Sequence, residues 1–120
     1  MAEETATETE LSAERVAELI ESGAFVVDVR RSYEWEAGRI PGATHIEMND
    51  LAANAESVPR DRPVVFYCRS GSRSGLAAAA FRESGWDAHN VEGGITAWVE
   101  QGHELDPADG EVAPPRPGSS

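Results

Sequence analysis

Apolar and polar residues follow two rhythms along this chain, and the rhythms take turns. Val64-Val65-Phe66-Tyr67 is an unbroken run of β-branched and aromatic residues, the pattern of a strand buried on both faces. Phe25-Val26-Val27 reads the same way and leads into Asp28-Val29-Arg30. Weaker strand signals cover Ala43 to Ile46 and Asp87 to Val91, with a short edge strand near Thr9 to Leu11. Between them the period lengthens. Val16, Leu19 and Ile20 share one helical face, so a helix is expected from Ala13 to Glu21, capped by Ser12 and stopped by Gly23. Ser32 caps a short helix over Tyr33 to Ala37 that Gly38 ends, and Asn49 caps a weak one across Asp50 to Glu56. Leu76-Ala77-Ala78-Ala79-Ala80-Phe81 lies within a helix from Ser74 to Ser84, closed by Gly85. Gly93-Gly94 is a tight turn, and Ile95 to Gln101 is the last helix. Strands alternating with helices call for an α/β fold, a mostly parallel sheet with helices on both faces.

Composition narrows the picture. A chain of 120 residues supports one domain with one core. Residues 1–10 form an expected disordered acidic tail and residues 105–120 a disordered Pro/Gly/Ser-rich one, leaving 11–104 as the folded domain. No apolar run approaches the roughly 18 residues that span a bilayer, and no basic-then-apolar leader opens the sequence. A cytoplasmic protein that does not engage membranes is expected. The net charge is −12, and all ten basic residues are Arg. That balance argues against nucleic acid, which requires a basic face. It fits a solvated, monomeric small domain.

The chain has one cysteine, so no internal disulfide and no clustered Cys metal site can form. His45, His89 and His103 fall on different elements without metal-ligand spacing, so no metal and no cofactor is expected. Cys68 closes the best strand in the chain, and ligands of parallel sheets bind at the carboxyl ends of strands. Behind it run Arg69-Ser70-Gly71-Ser72-Arg73-Ser74, small and cationic, into a helix. Unpaired N–H groups at a helix start carry partial positive charge, lower a cysteine pKa and hold an anion.

Several motifs together resemble the rhodanese-like domain family. They are Asp28-Val29-Arg30, Glu34, Gly38-Arg39-Ile40-Pro41-Gly42-Ala43, Cys68 through Ser74, Val91-Glu92-Gly93-Gly94 and Ala97-Trp98, in that order. The resemblance covers Leu11 to Gln101. It implies a rhodanese-like three-layer sandwich with a five-stranded sheet. It also implies sulfurtransferase chemistry, in which Cys68 takes a sulfane sulfur from a donor anion such as thiosulfate. By the same resemblance, Cys68 is expected to become a persulfide and pass the sulfur to cyanide or a thiol. Arg39 stands where the family often has His.

The residues suit that chemistry. Arg69 and Arg73 give the loop two positive charges with no acid between Cys68 and Ser74, each favouring a thiolate by about 1 kcal/mol at a surface-like dielectric. Gly71 lets successive N–H groups converge. Ser70, Ser72 and Ser74 can donate hydrogen bonds without filling the pocket. Arg73 is the main candidate for gripping the donor's oxygens. Asp28 and Arg30 are candidate supporting residues, with closing the turn after the strand as the favoured role. Glu34 is expected to pair with Arg30 or Arg39.

Arg73 is the fifth residue after Cys68, giving a six-residue loop like that of sulfurtransferases. Phosphatases and arsenate reductases of the same fold resemble Cys-x5-Arg, but Ser74 occupies that sixth position. A non-catalytic binding module is the other alternative, and such relatives usually lack the cysteine. With no second thiol, the acceptor must be external: a small thiol or a thioredoxin-like protein.

Overall fold

The computed structural model describes residues 8–114. Residues 1–7 and 115–120, the outer parts of the two expected tails, lie outside the described residues. Nine regular elements follow in order: β1 (Glu10–Leu11), α1 (Ala13–Glu21), β2 (Phe25–Asp28), α2 (Ser32–Ala37), β3 (Thr44–His45), β4 (Val64–Tyr67), α3 (Ser72–Glu83), β5 (Ala88–Val91) and α4 (Gly94–Glu100). The strands form one five-stranded sheet in the order β1-β5-β4-β2-β3, and every pairing is parallel.

The period-2 geometry of β4 divides the interior. Val64, Phe66 and Cys68 face a core built with Ala77, Ala78 and Phe81 of α3 and with Trp86. Val65 and Tyr67 face the opposite core, with Val16 of α1 and Ile95 and Trp98 of α4. Both faces of the strand are covered, which is why its sequence is apolar at every position. The registers Phe25 on Val64 and Asp28 on Tyr67 bring the carboxyl ends of β2 and β4 level.

A buried polar knot closes that end of the sheet. Asp28 and Arg30 have no exposed surface. Arg30 Nη2 donates to Asp28 Oδ2 at 2.8 Å and to the Gly38 carbonyl at 2.8 Å. Tyr67 donates its hydroxyl proton to Asp28 Oδ2 at 2.8 Å and accepts from the Ile40 N–H at 3.0 Å. Burial, with the Asp28 carboxylate beside it, pushes the Tyr67 phenol well up, so it remains a donor. The knot pairs Arg30 Nε and Nη2, both Asp28 oxygens and the Tyr67 hydroxyl, offsetting much of the cost of burying them, while Arg30 Nη1 has no partner among the described residues.

The structure departs from the sequence expectations in five places. The helix expected across Asp50 to Glu56 is replaced by two 3-10 turns, Met48–Asp50 and Ala55–Ser57. Asn54 Nδ2 donates to the Asp50 carbonyl and Ser57 Oγ to the Asn54 carbonyl, offering the backbone a non-helical alternative. The cap of α2 is Arg31 rather than Ser32, because Glu34 Oε1 accepts the Arg31 N–H at 3.0 Å. α3 begins at Ser72, two residues ahead of the expected start, with Gly71 at φ 101° as its cap. The expected tail from residue 105 is held as far as Pro114. Leu105 and Ala113 are buried, Asp106 exchanges backbone hydrogen bonds with Arg39, and the Glu111 N–H bonds to the Ala37 carbonyl. A Pro/Gly-rich composition concealed those few apolar anchors. Residues 8–10 of the expected acidic tail likewise run beside β5, with the Asn90 N–H donating to the Thr9 carbonyl at 2.6 Å.

Replacing Tyr67 with Phe leaves the Ile40 N–H and Asp28 Oδ2 each one partner short. The expected cost is about 1–3 kcal/mol, read as a lower urea midpoint with an unchanged denaturant slope.

Candidate active site

Cys68 follows directly from β4, and α3 starts four residues later. The loop between them is stapled from below. The Ile95 N–H donates to the Cys68 carbonyl at 2.9 Å, and the Thr96 N–H and hydroxyl both reach the Arg69 carbonyl, at 3.2 and 3.0 Å. This contact needs Gly94, at φ 64°, because a Cβ there would lie 2.5 Å from the Cys68 carbonyl oxygen and 2.4 Å from that of Arg69. The Gly-Gly turn therefore has the backbone role its sequence suggests.

The sulfur lies inside the turn so formed. The Gly71 N–H donates to Sγ at 3.1 Å, and Ser74 Oγ sits 3.4 Å away. The early start of α3 places Ser72, Arg73 and Ser74 in its first turn, so the helix N-terminus faces the thiol. Burial pushes the Cys68 thiol up and is the largest single influence. Against it act the Ser74 hydroxyl wherever its proton is turned to Sγ, the Ser74 and Gly71 backbone N–H groups and the charge of Arg73. Together they hold the thiol below its ordinary value. The residue as a whole has no exposed surface.

The other expected site residues separate into groups. Ser70 on the loop and Ser72 at the start of α3 are exposed. Ser74 is buried against Cys68. Arg73 carries its fork to Glu34, with Nη1 to Oε1 at 3.2 Å and Nη2 to Oε2 at 3.3 Å. This corrects the expected partner of Glu34: Arg30 binds Asp28, and Arg39 stacks on Trp35 with its centre 4.7 Å from the ring. Glu34 is fully buried, and it fixes the arginine by geometry as well as by charge. Arg69 Nε and Arg73 Nε are buried and, among the described residues, have no hydrogen-bond partner. Asp28 and Arg30 bind each other, Tyr67 and Gly38, so they brace the sheet end beside the loop.

Sequence reasoning missed Asn90, Thr96 and Glu10. Asn90 lies on β5 and touches Gly71 and Ser74 at once. The available signal was a polar residue within a strand whose four positions are all buried, which demands a partner. Among the described residues no group of His, Cys, Asp and Glu side chains could hold a metal ion, and no helix is long and apolar enough to cross a membrane.

Glu34 holds back much of the charge that Arg73 would otherwise present to Cys68. In Glu34→Gln, the pH midpoint of Cys68 alkylation by iodoacetamide is expected to fall, by a few tenths of a unit to about one unit. The direction follows because an uncompensated cation favours the thiolate; an unchanged or raised midpoint contradicts it.

The comparisons with known proteins agree with this geometry. The family model for the Rhodanese-like domain matches residues 12–101. A sulfurtransferase from Allochromatium vinosum is 39% identical over 79 residues, covering 65% of this chain and 74% of that protein. Thiosulfate sulfurtransferase GlpE from Pseudomonas aeruginosa is 35% identical over 89 residues, covering 73% of this chain and 81% of GlpE. A rhodanese-related protein from Thermoplasma volcanium superposes with a TM-score of 0.76 at 29% identity, over 81% of this chain and 96% of that one. From its loop, its all-parallel sheet and these relatives together, the chain is a member of the rhodanese-like domain family.

Proposed function

We propose that the protein is a sulfurtransferase of the thiosulfate type, working through a persulfide on Cys68. The observation that carries this reading is the cradle around the sulfur. A single thiol is held below its ordinary pKa by N–H donors from Gly71 and Ser74. Two buried guanidinium N–H groups with no partner among the described residues, Nε of Arg69 in the loop and of Arg73 in the first turn of α3, are donors left over for an anion's oxygens. Relatives named sulfurtransferases support it.

In the first half-reaction the Cys68 thiolate attacks the outer sulfur of thiosulfate. A new S–S bond forms, the donor's own S–S bond breaks, and sulfite leaves with the bonding pair. The persulfide carries one negative charge, now on its outer sulfur about 2 Å beyond Sγ, so the N–H groups of the loop serve both states. In the second half-reaction an external thiolate attacks the outer sulfur and Cys68 leaves as thiolate. A lowered pKa makes it a better leaving group. With one cysteine in the chain, the acceptor comes from outside: a small thiol, a thioredoxin-like protein or, in an assay, cyanide. Because Cys68 is fully buried, a donor sulfur enters only with a movement of the loop or of the groups lying over it.

Arg73 takes a smaller part than its sequence position suggests, since Glu34 already occupies its fork. The backbone cradle and Arg69 therefore carry most of the donor binding. The alternative of phosphate chemistry is disfavoured by the six-residue loop, in which Ser74 stands where a phosphatase of this fold resembles having Arg.

Incubation with thiosulfate, followed by intact mass measurement, should show one added sulfur that reductant removes and that Cys68→Ser abolishes. Turnover with thiosulfate and cyanide is expected, and none with an aryl phosphate. No adduct from any sulfane donor would overturn the reading, and aryl phosphate turnover dependent on Cys68 would replace it.

A further inference from the structure

Asn90 is 2% exposed and lies on β5 behind the loop. Its amide carries two hydrogens, and both are committed. Nδ2 donates to the Glu10 carboxylate at 2.9 and 3.1 Å, and to the Gly71 carbonyl at 3.1 Å. These acceptors fix the orientation of the amide, so that Oδ1 faces Ser74 Oγ at 2.5 Å. An amide oxygen has no hydrogen, so the proton in that contact belongs to the serine. A serine hydroxyl has only one. Toward Cys68 Sγ, at 3.4 Å, Ser74 is left with lone pairs.

On the sulfur-transfer reading above, we propose that Asn90 is a positioning residue for Cys68, pinning the Ser74 hydroxyl proton away from Sγ so that the serine accepts from the resting thiol. Ionisation then sets Asn90 Oδ1 and the thiolate in competition for one proton. The Ser74 hydroxyl favours the thiolate only with its proton turned to Sγ, and that turn leaves a buried amide oxygen without a donor. Asn90 thus restrains ionisation that the backbone N–H groups promote. The restraint has a chemical use, because thiolate nucleophilicity falls as thiol pKa falls. The charged groups that reach this loop are Arg69 within it, Arg73 on α3, Glu34 of α2 on the Arg73 fork, and Glu10 of β1 behind Asn90. α4 contributes the uncharged Ile95 and Thr96. None of these four residues is substituted in the variants below.

The test follows the rate of iodoacetamide alkylation of Cys68 against pH in the wild type, Ser74→Ala, Asn90→Leu and the double variant. Ser74→Ala removes an acceptor from the thiol, so the midpoint should fall. Asn90→Leu frees the serine proton for the thiolate, so the midpoint should fall by about half to one unit, or 3- to 10-fold more thiolate at a fixed pH. In the Asn90→Leu background, Ser74→Ala should then raise the midpoint. That reversal of sign is the signature. A rise or no change for Ser74→Ala in the wild-type background overturns the proposal. So does a midpoint in Asn90→Leu that rises equally with and without Ser74, which is the outcome of a purely structural role. If Asn90→Leu fails to fold, Ser74→Ala alone decides, by the direction of its shift. The readout is thiol titration, so it stands whether or not a persulfide forms; a missing sulfur adduct counts against the sulfur-transfer reading separately.

Discussion

A sulfur buried at the end of the central strand can carry negative charge only if hydrogen-bond donors surround it. Burial alone would push the Cys68 thiol up, and the structure reverses that by turning the Gly71 and Ser74 N–H groups onto Sγ. Much of the neighbouring architecture serves this arrangement. The Gly71 cap lets α3 begin early, and Gly94 lets the base of the loop rest directly on the start of α4. The all-parallel sheet brings these pieces together, because every strand delivers its carboxyl end to the same side.

Around the cradle, charge is kept on a short lead. Arg73 stands in the first turn of α3 beside the loop, yet its fork is occupied by Glu34, a carboxylate with no exposed surface on α2. Asp28, Arg30 and Tyr67 form a second closed network at the same end of the sheet. Both pairings trade free positive charge for fixed geometry. The outcome is a site whose electrostatics rest mainly on backbone dipoles, which cannot rotate away, and only secondarily on mobile side chains.

Much of this was legible in the sequence, for reasons specific to particular elements. The apolar run of β4 and the one-sided pattern of α1 are local signals, and the alternation of strands and helices implies the parallel sheet. The position of Cys68 at a strand end followed from the same reading. What escaped depends on contacts distant along the chain. Glu34 and Arg73 are 39 residues apart, and Asn90 and Glu10 are 80 apart. No periodicity announces either pair. α3 starts two residues ahead of the expected Ser74, because its cap, Gly71, acts through its positive φ and not through a side chain. The segment after residue 105 has a tail's composition, but Leu105, Val112 and Ala113 are enough to bind it to the core.

The central claim is that the Gly71 and Ser74 amides hold the charge on Cys68, and amide proton NMR tests it most directly. In a pH titration of the reduced protein, both amide protons should move downfield together, with a midpoint equal to that of Cys68 ionisation and below that of an ordinary thiol. The shift should be absent in Cys68→Ser. Amides that stay still while the thiol ionises would contradict the account.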